Sequence, residues 1–261
     1  MVRKASGPGP AGKTRGTLFL AILIFLILTF LVFPEGAAAA ITWQAQGPSP
    51  IQGADVVIPP DNPVVGAVQS LLIDPANNNI MYAGAVNGGI WKTTDGGSTW
   101  TPLTDTQTSL SMGGMALDPT NPNRILAGFG NFSNFGKDGP RAGVIFSNDA
   151  GSTWTPVGGA ILANTDVSSV VVNGQVMFVA SRSDGQGVNS SVPGLFRSTD
   201  GGASFIQISG SGGLPTGSVT SLVTDPSDPN RLYAAVAAVQ NSGIFRSDDL
   251  GKTWTNITPP Q

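Results

Sequence analysis

Carboxylates are the side chains of this sequence best suited to acid–base chemistry, because the chain contains no His and no Cys. Its only Glu is Glu35, and every acid from residue 41 onward is an Asp. Asp138 and Asp184 lie in irregular segments, where catalytic and binding groups are commonly placed. Hydrolysis of a glycosidic bond needs two carboxyl groups flanking that bond. Asp138 and Asp184 are therefore candidate catalytic acids, although nothing in the sequence pairs them.

Four other aspartates belong to an eight-residue motif, Ser/Thr-x-Asp-x-Gly-x-Ser/Thr-Trp/Phe. The copies are Thr93–Trp100, Ser147–Trp154, Ser198–Phe205 and Ser247–Trp254. They recur about every 50 residues, a period that suits one four-stranded propeller blade. The motif therefore predicts an array of similar β units.

Each unit contains four short apolar runs, rich in β-branched and aromatic residues and separated by Gly, Pro, Asn and Asp, as expected of antiparallel strands. In the first, second and fourth units, an Asp-Pro pair marks the turn between the first two runs, at Asp74, Asp118 and Asp225. In the third unit, Asn173-Gly174 marks the same turn. We predict an all-β propeller of four-stranded antiparallel blades. The predicted blades are about 63–104, 105–158, 159–209 and 210–261.

The motif spans the last turn of each predicted blade. Its Asp can accept backbone N–H bonds across the turn, its Gly supplies a positive φ, and its Trp or Phe is predicted to start the fourth strand with the ring against the neighbouring sheet. We predict structural roles for these residues: Asp95, Gly97, Trp100, Asp149, Gly151, Trp154, Asp200, Gly202, Phe205, Asp249, Gly251 and Trp254.

The motifs and the strands before them, such as Gly89-Ile90-Trp91-Lys92 and Gly194-Leu195-Phe196-Arg197, resemble the Asp-box, or BNR, repeat. That repeat occurs in sialidases, xyloglucanase-type glycoside hydrolases, sortilin-type receptors and photosystem II assembly factors. The resemblance covers about residues 63–261. It implies a propeller whose boxes lie away from the ligand site, and it leaves function open because fold alone does not specify function.

Propellers of this family usually have six or more blades, so four blades suggest part of a six- to eight-bladed propeller. We favour a fragment of a longer product. The alternative is that two four-bladed halves associate and cover each other's open edges. Residues 41–62 are predicted to be a linker or a closing strand.

Residues 1–40 have the pattern of a secretory signal peptide. Four basic residues precede an uncharged apolar run, Leu18–Phe33, and Ala37–Ala40 follow as a small-residue cleavage site. The competing interpretation is an uncleaved anchor, in which residues 18–33 alone would contact the membrane. Both interpretations predict an extracytoplasmic domain, secreted or periplasmic.

The charge and composition disfavour several partners. The formal net charge of −3 disfavours nucleic acid, and the lack of Cys and His disfavours a transition-metal site. We expect no cofactor and no metal.

Strand order places the connections between second and third strands, and those between blades, at one end of the predicted sheets. These loops are irregular, so we expect a protein or polysaccharide ligand there. The alternative for the loop of residues 131–141 is that Phe132 and Phe135 pack beneath it. The candidate binding residues are Asn87, Phe132, Asn134, Phe135, Lys137, Arg141, Arg182, Asn189 and Gln240.

The residues leave two main functions open. A sialidase resemblance would call for a Tyr–Glu pair, which the chain lacks, and a xyloglucanase resemblance would place an acid just before Gly88-Gly89, where Asn87 stands. We therefore expect a non-catalytic exported propeller that binds a protein or glycan or assists assembly. The alternative is a glycoside hydrolase whose catalytic residues partly lie beyond Gln261. A weaker third interpretation is a photosystem assembly factor.

Overall fold

Four antiparallel sheets of four strands each form the described part of the protein. The computed structural model describes residues 67–130, 139–183 and 192–260. Each sheet is built from four consecutive strands that pair in chain order, so the all-β prediction of four-stranded antiparallel blades is confirmed. All of these strands belong to one compact unit.

The strands are short, as expected for chains of apolar runs between turns. Sheet 1 contains β1 (Val68–Ile73), β2 (Met81–Ala85), β3 (Gly89–Thr93) and β4 (Thr101–Pro102). Sheet 2 contains β5 (Met112–Asp118), β6 (Asn121–Phe129), β7 (Val144–Ser147) and β8 (Thr155–Val157). Sheet 3 contains β9 (Asp166–Asn173), β10 (Val176–Arg182), β11 (Gly194–Ser198) and β12 (Ile206–Gln207). Sheet 4 contains β13 (Ser218–Asp225), β14 (Asp228–Ala237), β15 (Gly243–Ser247) and β16 (Thr255–Asn256).

The first strand of each sheet packs beside the first strand of the next, so β1, β5, β9 and β13 form the inner row. Here the backbones approach closely: a Cβ on Gly114 of β5 would lie 2.7 Å from the Cα of Ser169 in β9. Glycine is required at that position because no side chain fits between the two strands. The inner row therefore fixes the spacing of the sheets.

Three apolar clusters fill the spaces between consecutive sheets. Tyr82 and Ile90 of sheet 1 are buried against sheet 2, Leu126 and Val144 of sheet 2 against sheet 3, and Phe178 of sheet 3 against sheet 4. Burying apolar side chains of this size from both sides is what stabilises neighbouring sheets against each other.

In sheets 1, 2 and 4, the turn between the first and second strands is held by a hydrogen bond from a backbone N–H to the side chain of the Asp two residues before it. Asp74 accepts from the N–H of Ala76 at 2.8 Å, Asp118 from Thr120 at 2.9 Å, and Asp225 from Ser227 at 2.8 Å. This is the Asx geometry expected of Asp-Pro sequences.

The fourth strands differ from their prediction. The motif predicts that Trp100 starts the fourth strand of sheet 1, but β4 begins one residue later, at Thr101. Trp154, Phe205 and Trp254 likewise precede β8, β12 and β16. The reason is that the turn of the motif includes the aromatic residue, so ladder pairing begins only after it. A short helix, α1 (Gly159–Leu162), occurs in the segment of the chain that connects β8 to β9, where the sequence pattern predicts no helix.

The proposed signal segment, residues 1–40, and the proposed linker, residues 41–62, lie outside the described residues. Among residues 67–130, 139–183 and 192–260, no helix has the length and apolar character needed to cross a membrane.

Candidate functional site

The connections between strands separate to two ends of the sheets. The turn end carries the connections from first to second and from third to fourth strands, including every copy of the repeated motif. The loop end carries the connections from second to third strands and those between sheets. This division follows from the antiparallel order of the strands.

At the turn end, each motif forms the same hydrogen-bond network around its Asp. In sheet 2, the Ser147 hydroxyl donates to Asp149 Oδ1 at 2.8 Å and accepts from the N–H of Gly151 at 2.8 Å. The Thr153 N–H donates to Asp149 Oδ1 at 2.8 Å, and its hydroxyl donates to Oδ2 at 2.6 Å. The other three copies repeat these bonds.

The residue before the Gly also has a positive φ, which the sequence pattern does not predict. Ala150 has φ 58° and Leu250 has φ 54°, next to Gly151 at 86° and Gly251 at 74°. Two consecutive left-handed residues turn the chain so that the Gly151 N–H donates to Ser147 Oγ and the Thr153 N–H donates to the Asp149 carboxylate. The strain of a non-glycine residue there is offset by those bonds.

These bonds hold the motif carboxylates in their ionised form. Hydrogen bonds from the Thr99 hydroxyl and N–H, followed by that from the Thr93 hydroxyl, lower the pKa of Asp95 to about 2. The equivalent donors lower the pKa of Asp149 and of Asp200 to about 2. A carboxylate with such a low pKa, whose oxygens are already occupied by donors, is poorly suited to proton transfer near neutral pH.

Many of the predicted loop-end residues lie outside the described residues. Both catalytic candidates are among them, and they stay predictions. This group consists of Asp138, Asp184, Phe132, Asn134, Phe135, Lys137 and Asn189.

Asn87 lines a cavity of about 520 Å³ at the loop end between sheets 1 and 2. It adopts φ 57° in the turn between β2 and β3. The same cavity is lined by Asp105, Gln107 and Thr108, from the segment that connects sheet 1 to sheet 2. The cavity therefore offers an amide from one element and a carboxylate, an amide and a hydroxyl from another.

The segment carrying Asp105 is tied to sheet 1 by buried hydrogen bonds. The Ile90 N–H donates to Thr104 Oγ1 at 2.8 Å, and the Gly89 N–H donates to the Leu110 carbonyl at 2.9 Å. Thr104 is fully buried, whereas the adjacent Asp105 is exposed. The segment is thus anchored while its carboxylate faces solvent. Asp105 is not among the sequence candidates, and its place between two predicted blades is the only signal that could have indicated it.

Arg182, a predicted binding residue, forms an ion pair with Asp166. Its Nε lies 3.0 Å from Asp166 Oδ2, and the Asp166 side chain is fully buried. The pair joins the end of β10 to the start of β9. The matching pair in sheet 2 is apolar, Met112 and Phe129. The sequence alone does not reveal Asp166, because the pairing depends on strand register.

Arg141 and Gln240 occupy separate places at the loop end. Arg141 is half-buried before β7, and its carbonyl accepts from the Asn164 N–H at 3.1 Å. Gln240 is exposed and lines a cavity of about 1270 Å³ with Asn241, Asn256 and the glycine-rich segment 210–217. The structure therefore does not bring Asn87 and Gln240 into one described cavity.

Carboxylates at the described part of the loop end are Asp105 and Asp166. The other described acids lie in turns at the opposite end. Within residues 67–130, 139–183 and 192–260, no group of three or more metal-ligating side chains is assembled.

Comparison with known proteins relates this chain to xyloglucanases. No protein-family model matches it. It is 24% identical over 208 residues to a probable oligoxyloglucan-reducing end-specific xyloglucanase of Neosartorya fischeri, and 28% identical over 231 residues to a xyloglucanase of Hypocrea jecorina. Both alignments cover 74% of this chain, but only 24% and 25% of the relatives. The chain thus matches about a quarter of their length.

Solved structures with a similar fold include GH74 enzymes and YCF48. An ancestral GH74 enzyme is similar with a TM-score of 0.59 at 22% identity, covering 85% of this chain and 26% of that chain. The GH74 enzyme of Niastella koreensis gives 0.54 at 27% identity, covering 74% and 30%. YCF48 from Cyanidioschyzon merolae gives 0.51 at 13% identity, covering 82% and 61%, which speaks to fold alone. The chain has a β-propeller fold.

These similarities overturn one expectation. The prediction of a non-catalytic binding or assembly module is wrong, because the relatives favour the glycoside hydrolase alternative. That prediction rested on the lack of a complete set of catalytic carboxyl groups in this chain, and the chain matches only about a quarter of the length of those relatives. The absence of Glu after residue 35 therefore does not exclude an enzyme.

Proposed function

We propose that this chain is a propeller portion of a glycoside hydrolase that acts on a xyloglucan-type polysaccharide. The observation that carries the proposal is its similarity to the xyloglucanases of Neosartorya fischeri and Hypocrea jecorina over about three-quarters of the chain. The propeller fold it shares with GH74 enzymes is consistent with this assignment.

We assign polysaccharide binding to the loop end, at the cavity that contains Asn87 and Asp105. Amides, a hydroxyl and a carboxylate line this cavity, and such groups can donate to and accept from sugar hydroxyls. At the opposite end the motif carboxylates are already bonded within their own turns, as Asp149 is to Thr153, so they are occupied by protein donors. Arg141, Arg182 and Gln240 extend the proposed contact surface.

Hydrolysis needs two carboxyl groups, and Asp105 is our candidate for one of them. It is exposed in a cavity, and the buried bonds of Thr104 and Leu110 fix the segment around it. Asn87 stands where the xyloglucanase resemblance places an acid, and an amide cannot transfer a proton. Its role in this proposal is to hydrogen-bond sugar. Asp138 and Asp184 remain the candidates for the second carboxyl group.

A matched pair of variants tests the role of Asp105. Asp105→Asn should reduce the release of reducing ends from soluble xyloglucan by about 10²-fold or more, since general acid–base catalysis contributes on that order. Asp228→Asn is the control, because it lies at the turn end and an amide preserves the bond from the Asn230 N–H. Equal rates for both variants and the wild type would refute the role.

Asn87→Asp provides a complementary test in the direction of gain. If the cavity has xyloglucanase-like geometry, a carboxyl group at position 87 should raise the hydrolysis rate while leaving the melting temperature unchanged. Asn241→Asp, which changes the larger cavity in the same way, is the matched control. A rate increase only in the control would move the active site to the larger cavity.

We also propose that the propeller is extracytoplasmic, on the basis of the sequence of residues 1–40. Cleavage after Ala39 or Ala40 removes that segment, and retention makes residues 18–33 an anchor. The intact mass of the native protein distinguishes these two states. A full-length protein recovered from the cytoplasmic fraction would contradict both.

A further inference from the structure

At the junction of sheets 1 and 2, two side chains of sheet 1 bind the motif turn of sheet 2. Tyr82 Oη and Lys92 Nζ both donate to the carbonyl of Ala150, at 3.3 and 3.0 Å. Tyr82 and Lys92 are opposite each other in β2 and β3, and Ala150 is the fourth residue of its motif. This carbonyl is therefore satisfied by the neighbouring sheet.

The two equivalent positions at the junction of sheets 2 and 3 are apolar. Leu126 and Phe146 stand there, opposite each other in β6 and β7, whereas β3, β11 and β15 carry a cation at the position of Phe146. The motif residue that corresponds to Ala150 is Gly201, and its φ of 73° is close to the 58° of Ala150. Side chains without polar atoms cannot donate to a carbonyl, so the bonds made at Ala150 are not possible at Gly201. A ligand that carries a donor can take their place.

A cavity of about 520 Å³ lies at this junction, within the range of roughly 300–1,000 Å³ that is usual for small-molecule sites. One wall consists of Phe146, Asn148 and residues 155–159, and the other is the motif turn of sheet 3 at residues 201–203. Because every lining residue is uncharged, the cavity suits a neutral ligand better than an ionised one. Both walls come from consecutive sheets in the middle of the described residues.

The ring of Phe146, which lines the cavity, is held in place from within sheet 2. The Arg124 guanidinium lies 5.3 Å from the ring centre, and its Nη1 lies 2.7 Å from Oδ2 of the fully buried Asp118. The ion pair fixes the guanidinium, and the guanidinium attracts the face of the ring. A half-buried ring that is already held in place loses little entropy when a ligand packs against it.

We propose that this cavity is an accessory site for a neutral sugar unit of a polysaccharide, separate from the cavity of Asn87 and Asp105. A pyranose carries C–H groups on its faces and hydroxyls around its edge. The C–H groups pack on the electron-rich face of Phe146, and a hydroxyl donates to the Gly201 carbonyl in place of the missing side-chain donors. The exposed Asn148 amide can donate to and accept from a second hydroxyl.

The choice of a xyloglucan-type chain as the polysaccharide rests on the proposed function, whereas the cavity itself requires only a neutral sugar. A site of this kind tethers the polymer to the propeller without taking part in hydrolysis. Binding at two sites raises the apparent affinity for a chain long enough to reach both. Loss of the accessory site should therefore leave the hydrolysis of short oligosaccharides unchanged.

The site can be tested by hydroxyl-radical footprinting of the full chain with xyloglucan oligosaccharides of one repeating unit. Protection of β8, residues 155–157, reports this cavity, and the oligosaccharide concentration that gives half of the protection measures its affinity. Asn148→Ala should weaken that affinity by about threefold to tenfold, the usual effect of one neutral hydrogen bond. Thr94→Ala, at the same motif position in sheet 1, is the control and should bind as the wild type does.

Variants of Phe146 test the aromatic ring separately. Phe146→Leu keeps an apolar side chain but removes the aromatic face, so the affinity should fall by about threefold or more, while Phe146→Tyr should retain it. Circular dichroism verifies that each variant is folded. If Phe146→Leu is not folded, Asn148→Ala still decides, because it alters only an exposed side chain.

The outcomes separate this proposal from the proposed function. Hydrolysis of xyloglucan by a wild type in which the oligosaccharides do not protect β8, or protect it equally in Asn148→Ala and Thr94→Ala, would overturn the accessory site and leave the hydrolase assignment standing. Protection that Asn148→Ala weakens, in a protein that does not hydrolyse xyloglucan, would support the accessory site and overturn the hydrolase assignment.

Discussion

At the residue scale, the first hydroxyl of the repeated motif links its Asp to the backbone. The hydroxyls of Thr93, Ser147, Ser198 and Ser247 come from residues that are only 1% exposed, and each bonds both the Asp and the Gly N–H. The exposed Asp is thus oriented by a buried neighbour. Removing that neighbour would leave a buried N–H without an acceptor, which is costly.

Ser147→Ala should therefore lower the free energy of unfolding by about 1–3 kcal/mol, the usual cost of a buried unpaired donor. Urea denaturation of the full chain measures it. Ser152→Ala is the matched control, because its hydroxyl bonds the Asp149 carbonyl at an exposed site of the same turn. Equal losses in both variants would contradict the role given to Ser147.

The motif carboxylates also predict how stability depends on pH. The pKa of Asp149 is lowered from 3.8 to about 2 in the folded chain, so folding favours its ionised form. Its contribution to stability is therefore present above about pH 4 and is lost as the pH falls toward about 2. Thr153→Val removes the leading donor and should raise the pKa of Asp149 in a carbon NMR titration, while that of Asp200 stays unchanged. A normal pKa of Asp149 in the wild type would contradict this account.

At the element scale, the motif turn of one sheet is a packing surface for the previous sheet. Gly251 has φ 74°, and an added Cβ would meet the ring of Phe178 in sheet 3 at 2.6 and 3.0 Å. Gly174 has a similar φ of 58°, in the turn between β9 and β10, but an added Cβ there meets no atom within 4 Å. Substitutions at these two glycines therefore distinguish the cost of backbone strain, which both share, from the cost of crowding between sheets, which only Gly251 has.

Gly251→Ala should therefore be more destabilising than Gly174→Ala. A left-handed residue costs both variants about 1–2 kcal/mol, and crowding adds about 1–3 kcal/mol at Gly251. Differential scanning calorimetry of the two variants provides the comparison. If Gly174→Ala is equally destabilised, the contact with Phe178 does not constrain the junction of sheets 3 and 4.

The elements that could be predicted from the sequence are those whose causes are local. The Asp-Pro turns and the Asp–Gly geometry of the motif depend on residues within a few positions of each other, and the periodic pattern exposes them. The pair Arg182–Asp166 and the cavity of Asn87 and Asp105 join residues from different strands or sheets, so register and packing decide them. The predicted starts of β4, β8, β12 and β16 were also wrong, because the turn extends through the aromatic residue.

At the scale of the whole molecule, the two ends of the propeller differ in role. The turn end repeats one hydrogen-bonded network in every sheet and links the sheets, as Tyr82 and Lys92 do through Ala150. The loop end differs from sheet to sheet and contains the cavities of Asn87 and Gln240. The repeated motif turns form a rigid scaffold at one end, and the loops at the other end can differ in sequence and length, as is common for binding loops.

The most direct test of the central claim is whether the native protein hydrolyses xyloglucan. Reducing ends and oligosaccharide products should be followed over time, with an unbranched polysaccharide as the comparison substrate. Our account predicts release from xyloglucan that Asp105→Asn reduces by about 10²-fold or more and Asp228→Asn leaves unchanged. Absence of hydrolysis by the intact wild-type protein, under conditions in which a known xyloglucanase is active, would contradict it.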